Sequence, residues 1–449
     1  MKKIKKNIIV LYIILFCLIT FTVYIFHTNS KFFFIILFLP ILVFYIPTIL
    51  FDSKKLIYFV LLFLMLFPQT YWYTNYVIVN QYTAFFILLI LFIHTMKGFK
   101  YDNTFFIIFL IFFGLIILNA VRGLYRGYDR DFLIDETIKY LFYPITYYFF
   151  LLVFDEKKEL GFIKKIFEYC IILASIASLE IIMMYLFITK GERVLTRFGN
   201  VILVGLLIAL SFLRFKGVAT VIRIYYYFSI VIMSIGILLT MQRSIWIATA
   251  ASVVVFYFLD LISKKASFKE SVLKLLVLCI LLSSIIYVFN RISLNTEAIM
   301  ERTENMLKGE VDSSLAIRIY TFLKVLDITK DEFLLGRGLG DAAFFPLLTS
   351  HAKNLVDNSY ISIYWKMGLL GLLTFFILYT MVFWKLICII KLTNDPIVKS
   401  ISIIIFSVFI GQFINSLACV VLTQYHYNFI WAMFIAVTEF LYRKTVSLN

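Results

Sequence analysis

Stretches of about twenty consecutive apolar residues recur along the whole chain, and they restrict its fold more than any other feature. Each is long enough to cross a hydrocarbon core of about 30 Å as a helix. Inside lipid every backbone N–H and C=O needs a partner from the protein itself, so a spanning segment is a helix or part of a closed barrel. The alternating apolar and polar strands of a membrane barrel are absent from the sequence, which leaves a helical bundle. The composition agrees: the chain is 63% hydrophobic with a mean hydropathy of +0.97, outside the range of soluble domains.

Candidate spans fall at 7–27, 31–51, 55–71, 76–96, 104–121, 138–154, 162–188, 199–215, 220–240, 244–262, 269–289, 357–386, 397–420 and 424–442. The expected fold is all-α: a polytopic membrane bundle of about 12–14 transmembrane helices forming one multi-spanning domain over residues 1–449. The first apolar run follows MKKIKK, but no small-residue cleavage site comes after it, so it reads as a retained span. The five cysteines lie in or at the ends of apolar runs, form no CxxC pair, and read as packing residues. A net charge of +16 would suggest nucleic acid in a soluble protein. Here the charges sit in short loops, where membrane topology and anionic lipid account for them.

Lysines set the topology. With the N-terminus in the cytoplasm, alternate loops such as DEKKELGFIKK and SKKASFKES are lysine-rich and read as cytoplasmic, as does the C-terminus. The remaining loops face outward, including the long one at 290–356. Of the thirteen arginines, ten fall on this outer side: Arg122, Arg126, Arg130, Arg193, Arg197, Arg243, Arg291, Arg302, Arg318 and Arg337. They run against the topological pressure. A guanidinium binds phosphate with two parallel hydrogen bonds and keeps its charge at any relevant pH, so the pattern predicts an anion-binding outer surface.

Several residues in and around the long loop carry candidate chemistry. Arg243, in LLTMQRSIWIA, is held between two spans joined by almost no loop. Leu315, Ile319, Phe322, Leu323 and Leu326 recur at helical spacing, predicting an amphipathic helix over 314–328 on the membrane surface, with Arg318 near the headgroup plane. The turn LLGRGLGD lacks the spacing of a phosphate loop and reads as a tight turn, with Arg337 as an anion contact. Asp357 and Asn358 open the next span. An acidic residue there is a helix cap or a general base, and Asp357 shares a helical face with Tyr364. His351 is a second acid/base candidate. Arg122 and Arg126 are candidate substrate contacts, with Asp129, Asp131, Asp135 and Glu136 nearby to pair with arginines or hold a cation. The four histidines are scattered, so no metal centre and no cofactor are expected.

Three segments resemble the O-antigen ligase and Wzy-type polysaccharide polymerase superfamily. They are MQRSIWIA, with Arg243; AIRIYTFLKVLDITKDEFLLGRGLG, an arginine and aromatic-rich helix before a glycine turn; and DNSYISIYWKMGLLG. The resemblance covers roughly residues 200–390, and it departs from the ligase branch in having Asp357 where a histidine is usual. It implies a GT-C-like fold and a metal-independent glycosyltransferase. The donor and acceptor would be glycans on undecaprenyl pyrophosphate, joined on the outer face of the bacterial cytoplasmic membrane in O-antigen, capsule or exopolysaccharide synthesis. Asp357, Arg243 and Arg318 would be catalytic, and Arg122, Arg126, Arg337, His351, Asn358 and Tyr364 would bind substrate. Membrane lipid, a chain-length regulator and a flippase would be partners, and nucleic acid would not. Transfer of a finished glycan by a ligase, a transporter or flippase, and a peptidoglycan-type polymerase stand as alternatives. The absence of an internal repeat or of paired broken spans speaks against the transporter.

Overall fold

The computed structural model describes residues 56–58, 60–61, 87–96, 105–157, 160–188, 198–215, 219–264, 313–342, 356, 358–422 and 424–447. Among them there is no strand, and seven helices are long and apolar enough to cross a membrane. The fold is that of a multi-pass all-α membrane protein. The candidate spans at 7–27, 31–51 and 269–289, and most of 55–71, lie outside the described residues.

Two compact units divide the chain. The first holds most of α3 (Leu160–Met183, ending in a π-helical turn, Met184–Ile188), α4 (Gly199–Phe212) and α5 (Thr220–Leu239). Here α4 packs on α5. Small residues let the helices approach: a Cβ on Gly205 would lie 2.2 Å from that of Ala174, and one on Gly236 2.8 Å from that of Ser178.

The second unit holds α1 (Phe106–Tyr125), α2 (Arg130–Lys157), α6 (Arg243–Lys264), α7 (Ser313–Thr329), α8 (Ser359–Leu392), α9 (Pro396–Ser416) and α10 (Tyr425–Val446). Helix α10 lies along α2, α6 along α9, and α8 runs among α1, α9 and α10, with α7 against its first turns. Helix α1 shows why lipid is the solvent. It buries Ile108, Phe109, Phe112 and Ile116 against the protein while exposing Ile107, Leu110, Ile111 and Val121, so it is apolar on every side. Helix α9 starts where Asp395 accepts the amides of Ile397 and Val398, with Pro396 preset for the first turn.

Helix α8 departs from the sequence expectation in two ways. Its cap is Asn358, whose side chain accepts the amides of Tyr360 and Ile361. The helix is also broken at Gly368, where φ is 64° and ψ −165°. Only glycine takes that conformation without cost.

Candidate functional site

The break in α8 is filled by the glycine turn. Leaving the helical path at Gly368 frees carbonyls one turn earlier and amides just after. Arg337 N donates to Trp365 O at 2.8 Å and Gly338 N to Lys366 O at 3.0 Å; in return Leu369 N donates to Phe333 O at 2.8 Å and Leu370 N to Leu334 O at 3.1 Å. Leu339 N donates to Asn119 O of α1 at 3.1 Å. Thus LLGRGLGD is a splint seated in a membrane helix, and the backbone amides of residues 336–340 are already used by protein.

Charges fasten the same arm. Glu332 takes Arg122 at 3.0 Å and Arg126 at 2.7 Å, both at the end of α1. Burial pushes the Glu332 carboxyl up, but the Arg126 hydrogen bond and the charges of Arg126, Arg122 and Arg337 outweigh it and hold the group below the usual range. Arg337 Nε meets Asp341 Oδ2 at 2.6 Å, and the same oxygen accepts Trp365 Nε1 at 2.8 Å. Lys366, 1% exposed, pairs with Glu136 at 2.8 Å, donates to Asp341 O and lies over the Trp365 ring. The other oxygen of Glu136 accepts Gly340 N at 2.6 Å.

A second convergence lies at the turn between α9 and α10. Asn358 Nδ2 donates to Leu417 O at 3.0 Å, and Ser359 Oγ donates to Cys419 O at 2.8 Å while accepting Val421 N at 2.7 Å. From the start of α6, Ser244 Oγ meets Cys419 Sγ at 3.4 Å. The first residues of α6 and of α8, far apart in sequence, therefore meet on one turn. Arg243 is the first residue of α6 and is half-buried.

The arginine of α7 completes this end of the unit. Thr321, Val325 and Thr329 are buried on the helix face that continues from Arg318. Val325 packs with Val356 and Trp365, and Tyr364 and Ile361 close over that cluster. Arg318 Nε is buried and has no hydrogen-bond partner among the described residues. The opposite face exposes Ile319, Phe322, Leu323 and Leu326, the apolar stripe of the amphipathic helix.

The predicted residues thus divide. Arg243, Asn358 and the segment carrying Arg318 and Tyr364 lie at one end of the second unit. Arg122, Arg126 and Arg337 lie at that end too, with guanidiniums engaged by Glu332 and Asp341. His351 and Asp357 lie outside the described residues, the latter between Val356 and Asn358. The acidic residues of 129–136 pair with no arginine among the described residues: Asp129 accepts the amides of Asp131 and Phe132, Asp135 takes Lys139, and Glu136 takes Lys366. The importance of Lys366 was open to sequence reasoning, as a lone charge in an apolar run. Ser359 and Glu332 gave no such signal.

The fold is that of a multi-pass helical membrane protein whose second unit gathers polar and charged side chains at one end. A protein-family model, that of the O-antigen ligase domain, matches residues 228–376, from within α5 through α6 and α7 to the middle of α8. Over that third of its length the chain is similar to the O-antigen ligase family, whose members transfer lipid-linked glycans. A comparison with curated proteins finds no match.

Proposed function

We propose that this protein is a polysaccharide polymerase that joins undecaprenyl-pyrophosphate-linked repeat units on the outer face of the cytoplasmic membrane. The hydroxyl of one lipid-linked unit attacks the anomeric carbon of another, the bond to the pyrophosphate oxygen breaks, and lipid pyrophosphate leaves. Asp357 takes the proton of the attacking hydroxyl, a contribution of about 10²–10⁴ in rate for a positioned base. Arg318 and Arg243 neutralise the charge growing on the leaving diphosphate. Arg122, Arg126 and Arg337 hold the arm that carries Arg318 and add positive potential at the rim. Both termini lie in the cytoplasm.

Two observations support this reading: α6 and α8 meet on the Leu417–Leu422 turn, and α7, packed on the first turns of α8, carries an arginine whose Nε the described residues leave unmatched. The family model's own description favours a second reading, an O-antigen ligase that moves a finished glycan to a different acceptor. One assay separates them. Purified protein given lipid-linked repeat units alone makes a ladder if it is a polymerase and nothing if it is a ligase.

A further inference from the structure

Below the α9–α10 turn the bundle buries polar groups that the described residues leave unmet. Gln412 Oε1 on α9, and Gln424 Oε1, Asn428 Oδ1 and Trp431 Nε1 on α10, have no hydrogen-bond partner among the described residues. Gln412 and Asn428 are 0% exposed, Trp431 1% and Gln424 7%. Their spacing lines them up over about two helical turns, roughly 10 Å. Gln424, Asn428 and Trp431 follow at i, i+4 and i+7 and share one stripe of α10. Phe409 packs on Trp431 with ring centroids 5.5 Å apart. From that contact α9 rises toward the turn and α10 rises back to it, each at about 1.5 Å per residue. Gln412 is therefore level with Asn428, and Ser416 with Gln424. The Tyr379 ring lies 5.4 Å from Phe409, and its phenol faces that of Tyr143.

The remaining valences describe the ligand. Gln412 Nε2 already donates to Ser416 Oγ at 3.3 Å, and Asn428 Nδ2 to Lys139 O at 2.6 Å. Each of these amides keeps its carbonyl and one N–H. The set is three neutral carbonyl acceptors with their remaining amide N–H groups and one indole donor, beside the aromatic rings of Phe409 and Trp431. Among the described residues no charged group belongs to it, which favours a neutral ligand over a metal ion or a phosphate. A dry interior rarely leaves so many dipoles unmet in one place. Hydroxyl groups, which donate and accept without charge, fit it.

We propose that Gln412, Gln424, Asn428 and Trp431 form a hydroxyl-binding subsite directly beneath the turn reached by Ser244 and Ser359. It takes the hydroxyls of a neutral sugar, or those of water. In the sugar case it is a seat for the acceptor glycan, and this rests on the glycan-transfer reading above.

The test uses full-length protein in nanodiscs, with methyl glycosides of neutral hexoses and N-acetylhexosamines as probes. Saturation-transfer NMR should detect a bound glycoside in the wild type. Gln412→Leu should abolish the signal, and Trp431→Phe, which removes one donor and keeps the bulk, should raise Kd roughly tenfold. Cryo-EM of the same samples reads occupancy. Ordered density on Gln412 Oε1 and Asn428 Oδ1 without glycoside, replaced when glycoside is added, assigns the site to sugar hydroxyls. Density that stays while no glycoside binds assigns it to water. No density under either condition, with Gln412→Leu melting at or above the wild-type temperature, describes a dry core and overturns the proposal. Binding is read without turnover, so the two readings fail separately: an inactive protein that binds glycoside counts against the polymerase alone, and a ladder from a dry protein counts against the subsite alone.

Discussion

Gly336 and Gly368 abut backbone to backbone. A methyl group on either would lie 2.4 Å from the amide nitrogen of the other, and both have left-handed φ, 68° and 64°. Alanine at either position meets a backbone that has no room to move, on top of about 1–2 kcal/mol for the left-handed conformation itself. Gly336→Ala and Gly368→Ala should both release the arm from α8, exposing residues 313–341 to protease and abolishing transfer, while the protein still inserts. Protease protection equal to wild type in both would show that the splint tolerates a side chain.

The arm also has a pH signature. Glu332 is held below the ordinary glutamate range, near 4.3, by Arg126, Arg122 and Arg337 against the opposing effect of burial. A carboxylate with a depressed folded pKa gives stability that is fully present above the unfolded value and is lost as pH falls through the folded one. Docking of the arm should therefore be constant from neutral pH down to the ordinary glutamate range and weaken only in stronger acid. Glu332→Gln should lose that part of the docking at neutral pH and show no further loss in acid. Hydrogen exchange of residues 313–341 across this range measures both.

Asn358 and Ser359 join α8 to the α9–α10 turn. Asn358→Ala removes a cap, about 1 kcal/mol, and the tie to Leu417. Asn358→Asp keeps the cap and loses only that tie, so it should fall between alanine and wild type in melting temperature. Ser359→Ala leaves the amides of Val421 and Leu422 without their acceptor and should cost about 1–3 kcal/mol, since both bonds are buried. Thermal unfolding of the three variants in detergent ranks them.

How much of this was legible in the sequence follows from the range of each interaction. The spans and α7 were open to sequence reasoning because burial imposes a local period: Leu315 to Leu326 predicted a helix over 314–328, and it runs Ser313–Thr329. Asp357 and Asn358 marked the start of α8, but which of them caps it depends on side-chain geometry. The glycine run read as a turn. Its seat in the break at Gly368 did not, because backbone hydrogen bonds between residues thirty apart leave no periodic trace. Arg122 and Arg126 read as anion contacts for the same reason: their carboxylate, Glu332, stands more than two hundred residues away.

Arg318 should separate catalysis from folding. Its Nε is buried with no partner among the described residues, so removing it breaks no bond seen there. Arg318→Ala should lower transfer about 10²–10³-fold, the loss found when one fixed donor to a developing charge is removed. Arg318→Lys keeps the charge without the planar fork and should recover only part of it. Membrane insertion and melting temperature should stay at the wild-type level in both. A polymer ladder of normal length from Arg318→Ala would remove Arg318 from the mechanism.

At the other end of the second unit, Lys385 and Glu439 form an ion pair with side chains 0% and 2% exposed, flanked by the Phe105 and Tyr442 rings. Two charges withdrawn from water repay their desolvation only together. Lys385→Met strands the carboxylate with Arg443 alone, which holds it at 2.8 Å from a half-exposed position and also reaches Asp155. It should destabilise the protein by about 3–5 kcal/mol, the range for a buried pair broken on one side. Lys385→Met combined with Glu439→Leu removes both charges and fills the space with apolar atoms, so most of that loss should return. The coupling is read from the melting temperatures of both single variants and the double variant in one detergent. A double variant as unstable as the sum of the singles would mean that the two groups act independently and that the pair is not what joins α8 to α10.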